Sequence, residues 1–214
     1  MTQMPLFPLS LVLFPNAPLP LHIFEDRYQM MIGECIEQNK PFGVVLLREG
    51  VAESDEVTFH MLGTAAQIAD GVRMEDGRYL INCVGQRRFR VQEIVERAPY
   101  FIASVTMLTE EGAELFVEPG NELRALHTRY CEALAAATGV RAEPETLPED
   151  TVDLTYWMAH KLQVEDEQKQ HWLEANIATR LREMSAALRA EIALLPNSPG
   201  NSFAGGWSGP GSWN

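Results

Sequence analysis

Residues 22–28, His-Ile-Phe-Glu-Asp-Arg-Tyr, crowd chemically capable side chains into one short run. His22 and Glu25 stand three apart, a spacing at which two side chains of one helix can share a metal ion. Cys35 follows as a thiol that a histidine base would activate. Either chemistry needs more than the run provides. A metal site wants a further ligand in a recognisable pattern, and no HExxH occurs. The remaining histidines, His60, His127, His160 and His171, sit in unrelated periodic contexts and read as isolated imidazoles. There is no GxxxxGK[ST] loop for a nucleotide, no GxSxG elbow and no GxGxxG. Partners such as Cys–His or Ser–Lys meet in space, and their spacing along the chain selects none. A dispersed hydrolase site resting on His22 or Cys35 is the residual enzymatic reading. The favoured reading is that the chain is not an enzyme and carries no cofactor or metal.

The same stretch is fully used by structure. In LPLHIF, Leu19, Leu21 and Ile23 alternate onto one face, which predicts a strand. A helix then starts near Glu25, with Tyr28, Met31, Ile32, Cys35 and Ile36 on one stripe. Glu25 and Asp26 fall in its first turn, where negative charge suits the helix dipole. Arg27 can reach back to a carboxylate, and Asn39, Lys40 and Pro41 stop the helix.

The rest of residues 1–117 reads as β. PLFPL and LVLF are short apolar runs between prolines, FGVVLLREG (42–50) is a buried strand with a glycine exit, and residues 61–94 hold several strands around an Asp76-Gly77 turn. In RYLINCV, Tyr79, Ile81 and Cys83 share one face. Leu80, Asn82 and Val84 share the other, which predicts a wall packed on both sides. YFIASVTML (100–108) is a further strand.

From Pro119 the period becomes helical. Leu123, Leu126, Tyr130 and Leu134 form a stripe stopped by Gly139. Asp150, Asp166 and Asn176 are the predicted caps of three more helices. The last of these carries Ile177, Leu181, Met184, Leu188, Ile192 and Leu195, a core stripe that could also build an isologous dimer. Residues 196–214 are mostly Gly, Ser, Pro and Asn, with Phe203, Trp207 and Trp213 among them, a composition that predicts a disordered tail.

The chain has 17 basic and 30 acidic residues, a net charge of −13 spread over both halves. Phosphate backbones and anionic lipid repel such a surface. Arg87, Arg88 and Arg90 are the one basic knot and carry the alternative reading, an RNA-binding barrel; an internal ion-pair set is the simpler use for them. The three cysteines, Cys35, Cys83 and Cys131, are odd in number and far apart, as reduced thiols of a cytoplasmic protein would be. The proline-broken start is neither a signal peptide nor a membrane span.

PLFPLSLVLFPNAPLPLHIFEDRYQMMI (5–32) closely resembles the opening of the N-terminal, substrate-recognition domain of the Lon proteases. GTAAQI (63–68) and VGQRRFRV (84–91), with Gly85 and Arg88, continue the resemblance. So does residues 154–184, where Leu162, Lys169, Gln170, Leu173, Glu174, Arg180 and Leu181 fall in the expected kinds of place. The resemblance implies an α+β fold: a PUA-like β pseudo-barrel with a short helix over 1–117, then a helical bundle over 118–195. It marks Pro8, Pro15, Glu25, Arg27 and Gly85 as structural signature residues. It also implies a non-catalytic module that binds unfolded or degron-bearing polypeptides or modulates Lon itself. Phe24, Tyr28 and Arg88 are the candidate peptide contacts, with core packing as their alternative use. The sequence stops short of any ATPase or protease motif, so unaided unfolding or proteolysis is not expected of it.

Overall fold

The computed structural model describes residues 2–48, 58–110, 112–140 and 145–195. The glycine exit expected at Gly50 and the tail at 196–214 lie outside them.

The strands are β1 (Thr2–Leu9), β2 (Pro18–Ile23), β3 (Phe42–Leu46), β4 (Leu62–Arg73), β5 (Tyr79–Glu96) and β6 (Phe101–Met107). Helix α1 (Asp26–Gln38) lies between β2 and β3. The sheet order is β2-β5-β4-β3-β1-β6, and β6 also pairs with β5, so five strands close into a barrel and β2 is left outside it. Leu6, Val45, Ala65, Phe89, Val91 and Val105 fill the barrel interior. Its bore is narrow: a Cβ on Gly43 or Gly63 would stand 2.6 or 3.1 Å from the Phe89 ring.

β5 is long enough to serve two partners on one side, β2 through residues 79–84 and β6 through residues 89–96. Beyond the barrel, β2, the first half of β5 and the last half of β4 therefore form a three-stranded flap. Its inner face, with Leu19, Ile23, Tyr79, Ile81 and Cys83, is buried in the same core as Tyr28, Met31, Ile32 and Cys35 of α1. Ile36 completes that stripe in sequence but stays exposed. Among the described residues nothing covers the opposite face of the flap, contrary to the wall packed on both sides expected from Leu80 and Val84. Alternation shows which residues share a face; it does not say that anything covers it. LVLF is likewise no strand. Val12, Leu13 and Phe14 are buried, but in an irregular run that Pro15 ends.

After a 3-10 turn (Ala113–Phe116) come α2 (Val117–Thr138), α3 (Thr151–Lys161), α4 (Asp166–Glu174) and α5 (Ile177–Leu194). Asp150 caps α3, accepting from the N–H of Val152 and Asp153 at 2.8 and 3.0 Å. Asn176 caps α5 by accepting from Thr179 N–H at 2.9 Å. Asp166 does not cap α4; Glu165 holds that position without a side-chain bond, and Asp166 lies in the first turn. The stripe of α5 is spent on the core from Ile177 to Leu188, together with Leu123, Leu154 and Trp172.

Candidate functional site

Two signature residues far apart in sequence form one joint. Pro15 and Asn16 make a turn closed by Ala17 N–H donating to the Phe14 carbonyl at 3.1 Å, and Asn16 takes φ 61°. Proline followed by a residue with positive φ is the pattern of a type II turn. Asn16 N–H donates to the Gly85 carbonyl and Gly85 N–H to the Ala17 carbonyl, at 2.8 and 2.9 Å. A Cβ on Gly85 would stand 2.1 Å from the Phe14 carbonyl oxygen, so only glycine fits. Pro8 is buried in β1 opposite Val45.

This joint sets the course of β2 into α1. Glu25 is the N-cap residue of α1 without a capping side-chain bond; it accepts instead from Arg27 Nε at 2.9 Å. Both side chains are exposed, so the pair adds little stability. Tyr28 points inward, its ring 4.2 Å from that of Phe7, with only 7% of the residue exposed. Phe24 points out and is 62% exposed. Its ring lies 5.9 Å from that of His22.

His22 opens a row. It stands opposite Leu80, and Leu80 stands opposite Val72. Paired residues share a face, and this face is open: Leu80 is 49% and Val72 66% exposed. In the next row Pro20 faces Asn82, which donates to the Asp70 carboxylate at 2.7 Å. A shallow cleft of about 430 Å³ runs over these residues. The outer face of the flap thus combines an exposed aromatic, two exposed aliphatics, an imidazole and a proline, with few charges among them.

Arg88 is elsewhere. It is 8% exposed and donates from Nη1 to the carbonyls of Leu173 and, at 3.2 Å, Ala175, where α4 turns into α5. Its Nη2 pairs with Glu110. The fully buried Arg180 reaches the same Glu110 oxygen at 3.1 Å, and Tyr156 donates its hydroxyl there too. Arg180 also donates to Thr155 Oγ1 at 2.9 Å and to the Ala175 carbonyl at 2.7 Å. Arg88, Glu110, Tyr156 and Arg180 form a clamp that ties β5, the segment after β6, α3 and α5 together. Arg87 and Arg90 are exposed, so the basic knot of the sequence is split between clamp and surface. Of the three candidate contacts, Phe24 alone presents a surface, and the fold does not bring it together with Arg88.

His22 is exposed on the flap and Cys35 is buried under it; burial pushes the Cys35 thiol up to about 11 and the Cys83 thiol to about 12. The His22–Glu25 spacing recurs at His171 and Glu174, but His171 turns to Glu183 at 3.1 Å. His127 is not isolated as expected: one turn apart on α2, its Nε2 lies 3.7 Å from Cys131 Sγ. Spacing of four along a helix was the available signal. Burial lowers the His127 pKa and raises that of Cys131, which Glu145 and Glu132 raise further. An activated nucleophile needs the opposite electrostatics. The pair lines a larger groove of about 910 Å³ with Leu134, Val140, Trp157 and Lys161. Among the described residues, no helix is long and apolar enough to cross a membrane.

Comparison with known proteins assigns this architecture. The Lon protease 2 of Myxococcus xanthus is 30% identical over 206 residues, covering 91% of this chain and 24% of the relative. The Lon protease of Flavobacterium johnsoniae is 31% identical over 111 residues, covering 51% of this chain and 14% of the relative. The chain thus spans a quarter or less of these proteases. Among solved structures, a Lon N-terminal domain protein from Xanthomonas campestris superposes with a TM-score of 0.64 at 24% identity, covering 87% of this chain and 98% of that one. The N-terminal domain of Lon protease from the Mycobacterium avium complex gives 0.58 at 14% identity, covering 88% and 98%. Both share the fold. The family model of the ATP-dependent protease La (LON) substrate-binding domain matches residues 3–189, and the chain belongs to that family.

Proposed function

We propose that this chain is a recognition module that binds unfolded or degron-bearing polypeptide segments in the cytoplasm, has no chemistry of its own, and delivers or withholds such segments from a Lon-type protease. The observation that carries the reading is the uncovered apolar face of the flap, with Phe24 at its margin inside the family's signature stretch. An exposed cluster of this kind, ringed by polar residues, has the composition of an interaction surface. Its aromatic is the residue type that dominates binding energy at such surfaces. The split arginine knot and the net charge of −13 favour polypeptide over RNA as the ligand.

Fluorescence anisotropy against labelled unfolded polypeptides, with a native protein and an RNA oligomer as controls, tests the reading. Saturable micromolar binding of the unfolded chains alone is expected. Phe24→Ala should weaken it about tenfold while the melting temperature holds, because the ring is exposed. Flat curves for every polypeptide, or binding of the RNA alone, would refute the proposal. Added to a Lon-type protease, the chain should change the rate at which an unfolded substrate is degraded.

A further inference from the structure

The flap has two outer edges, and they are chemically unlike. Their hydrogen-bond phase follows from bonds at the strand ends. Met74 N–H donates to the Arg78 carbonyl at 2.8 Å. The register continues Arg73↔Tyr79, Val72↔Leu80, Gly71↔Ile81 and Asp70↔Asn82. In an antiparallel ladder the hydrogen-bonded pairs recur at every second position. Val72 and Asp70 therefore turn their peptide groups toward β5, while Gly71 and Arg73 turn theirs away.

On the other side, Gly85 N–H donates to the Ala17 carbonyl. The same alternation sends the peptide groups of Leu19, Leu21 and Ile23 toward β5 and those of Pro18, Pro20 and His22 outward. Two of the three outward residues of β2 are prolines and have no N–H to give, the arrangement by which sheets close an edge to further pairing. β4 carries no such block. Gly71 and Arg73 each offer an outward N–H and C=O. β3 meets β4 only at Thr64, Ala65 and Ala66, so among the described residues no strand pairs with this stretch. Residues 69–76 are all exposed. The bulge between Ile68 and Asp70 and the turn after Arg73 bound the open edge.

We propose that the outer edge of β4, from Asp70 to Arg73, receives an extended segment of an unfolded polypeptide as an added strand that pairs with Gly71 and Arg73. The inference rests on the polypeptide-recognition reading above and supplies its mode. Alternate side chains of the added strand continue the row of His22, Leu80 and Val72 on the outer face and are apolar. The others fall beside Gly71, which has no side chain to obstruct them. The occupant is a basic segment, because a chain of net charge −13 attracts such a segment and repels a second copy of itself. Main-chain pairing supplies affinity without reading sequence, as suits a binder of many unfolded chains.

The test uses the full chain and a labelled short peptide of alternating valine and lysine. In the free protein the amides of Gly71 and Arg73 should exchange fast and that of Val72 slowly; bound peptide should slow both fast amides by about tenfold or more. Arg73→Pro removes an outward N–H and no bond to β5, and should weaken the peptide about tenfold. Arg73→Ala, which keeps the N–H, should stay within about twofold. Peptides N-methylated on alternate residues should bind in one phase and fail in the other, a readout that needs no protein variant. Peptide binding without protection of both amides, or insensitive to N-methyl phase, would overturn edge pairing and leave the recognition reading intact. Absence of binding by this peptide and by every unfolded polypeptide would overturn both. Protection of the two amides in free protein that grows with its concentration would give the edge to a second copy and overturn the proposal.

Discussion

Phe24 and Tyr28 are four residues apart and end in opposite environments. Both are aromatics of the signature stretch, and their types say nothing about which is buried. The stripe Tyr28, Met31, Ile32 and Cys35 does: Tyr28 is on it and Phe24 precedes it. The cysteines are equally position-dependent. Cys35 and Cys83 are buried and Cys131 is exposed. Burial holds the first two thiols at about 11 and about 12, well above neutral pH, so they stay protonated and shielded. A thiol reagent at pH 8 is therefore expected to modify Cys131 alone in the native protein and all three cysteines in denaturant. Equal labelling of Cys35 or Cys83 in the native state would mean that the seam between α1 and the flap opens readily.

Local signals settle the elements where the chain itself closes the bonds. The Asp150 and Asn176 caps, the left-handed Asn39 and Gly139 stops and the Gly77 turn involve neighbours in sequence, and each was legible. LVLF and Asp166 misled because an apolar run or an acid before a helix fits more than one geometry. Contacts between elements were not legible in this way. The clamp gathers two arginines and a tyrosine on Glu110, a glutamate in the segment after β6 that no local pattern singles out. Glu110→Gln leaves two buried guanidinium groups without their carboxylate. Removing one partner of a buried pair costs about 3 kcal/mol or more, to be measured as the fall in stability in urea. A change under about 0.5 kcal/mol would show that the clamp behaves like a surface ion pair. Replacing Glu110, Arg88 and Arg180 together by apolar residues should recover part of the loss, since no charge is then stranded.

Across the molecule, the outside of the barrel wall, the flap and the bundle share a core, beside the separate cluster that fills the barrel interior. One buried cluster runs from Phe7 and Phe42 through Tyr28 and Ile81 to Leu123, Trp172 and Leu188. Gln170 of α4 donates to the Leu62 carbonyl of β4 at 3.0 Å, and Asn16 donates to Asp153 of α3 at 2.9 Å. A division into 1–117 and 118–195 follows the change of element type along the chain. The shared core predicts one cooperative transition, with far-ultraviolet dichroism and tryptophan fluorescence, to which the core-packed Trp157 and Trp172 contribute, giving coincident urea curves. Two separated midpoints would make each part an independent folding unit.

What could be read in advance and what could not differ in the range of the forces involved. Helix stripes and caps depend on residues within a few positions of one another, and periodicity records such contacts directly. The exposure of Leu80 and Val72, the burial of Arg88 and the inequivalence of the two flap edges depend on partners remote in the chain. Arg88 meets Leu173 across a separation of 85 residues and Asn16 meets Asp153 across 137. An apolar residue buries itself only if another element arrives to cover it, and a strand edge is open only if none does. That arrival is set by how the whole chain packs, which is why the open face of the flap became visible with the fold.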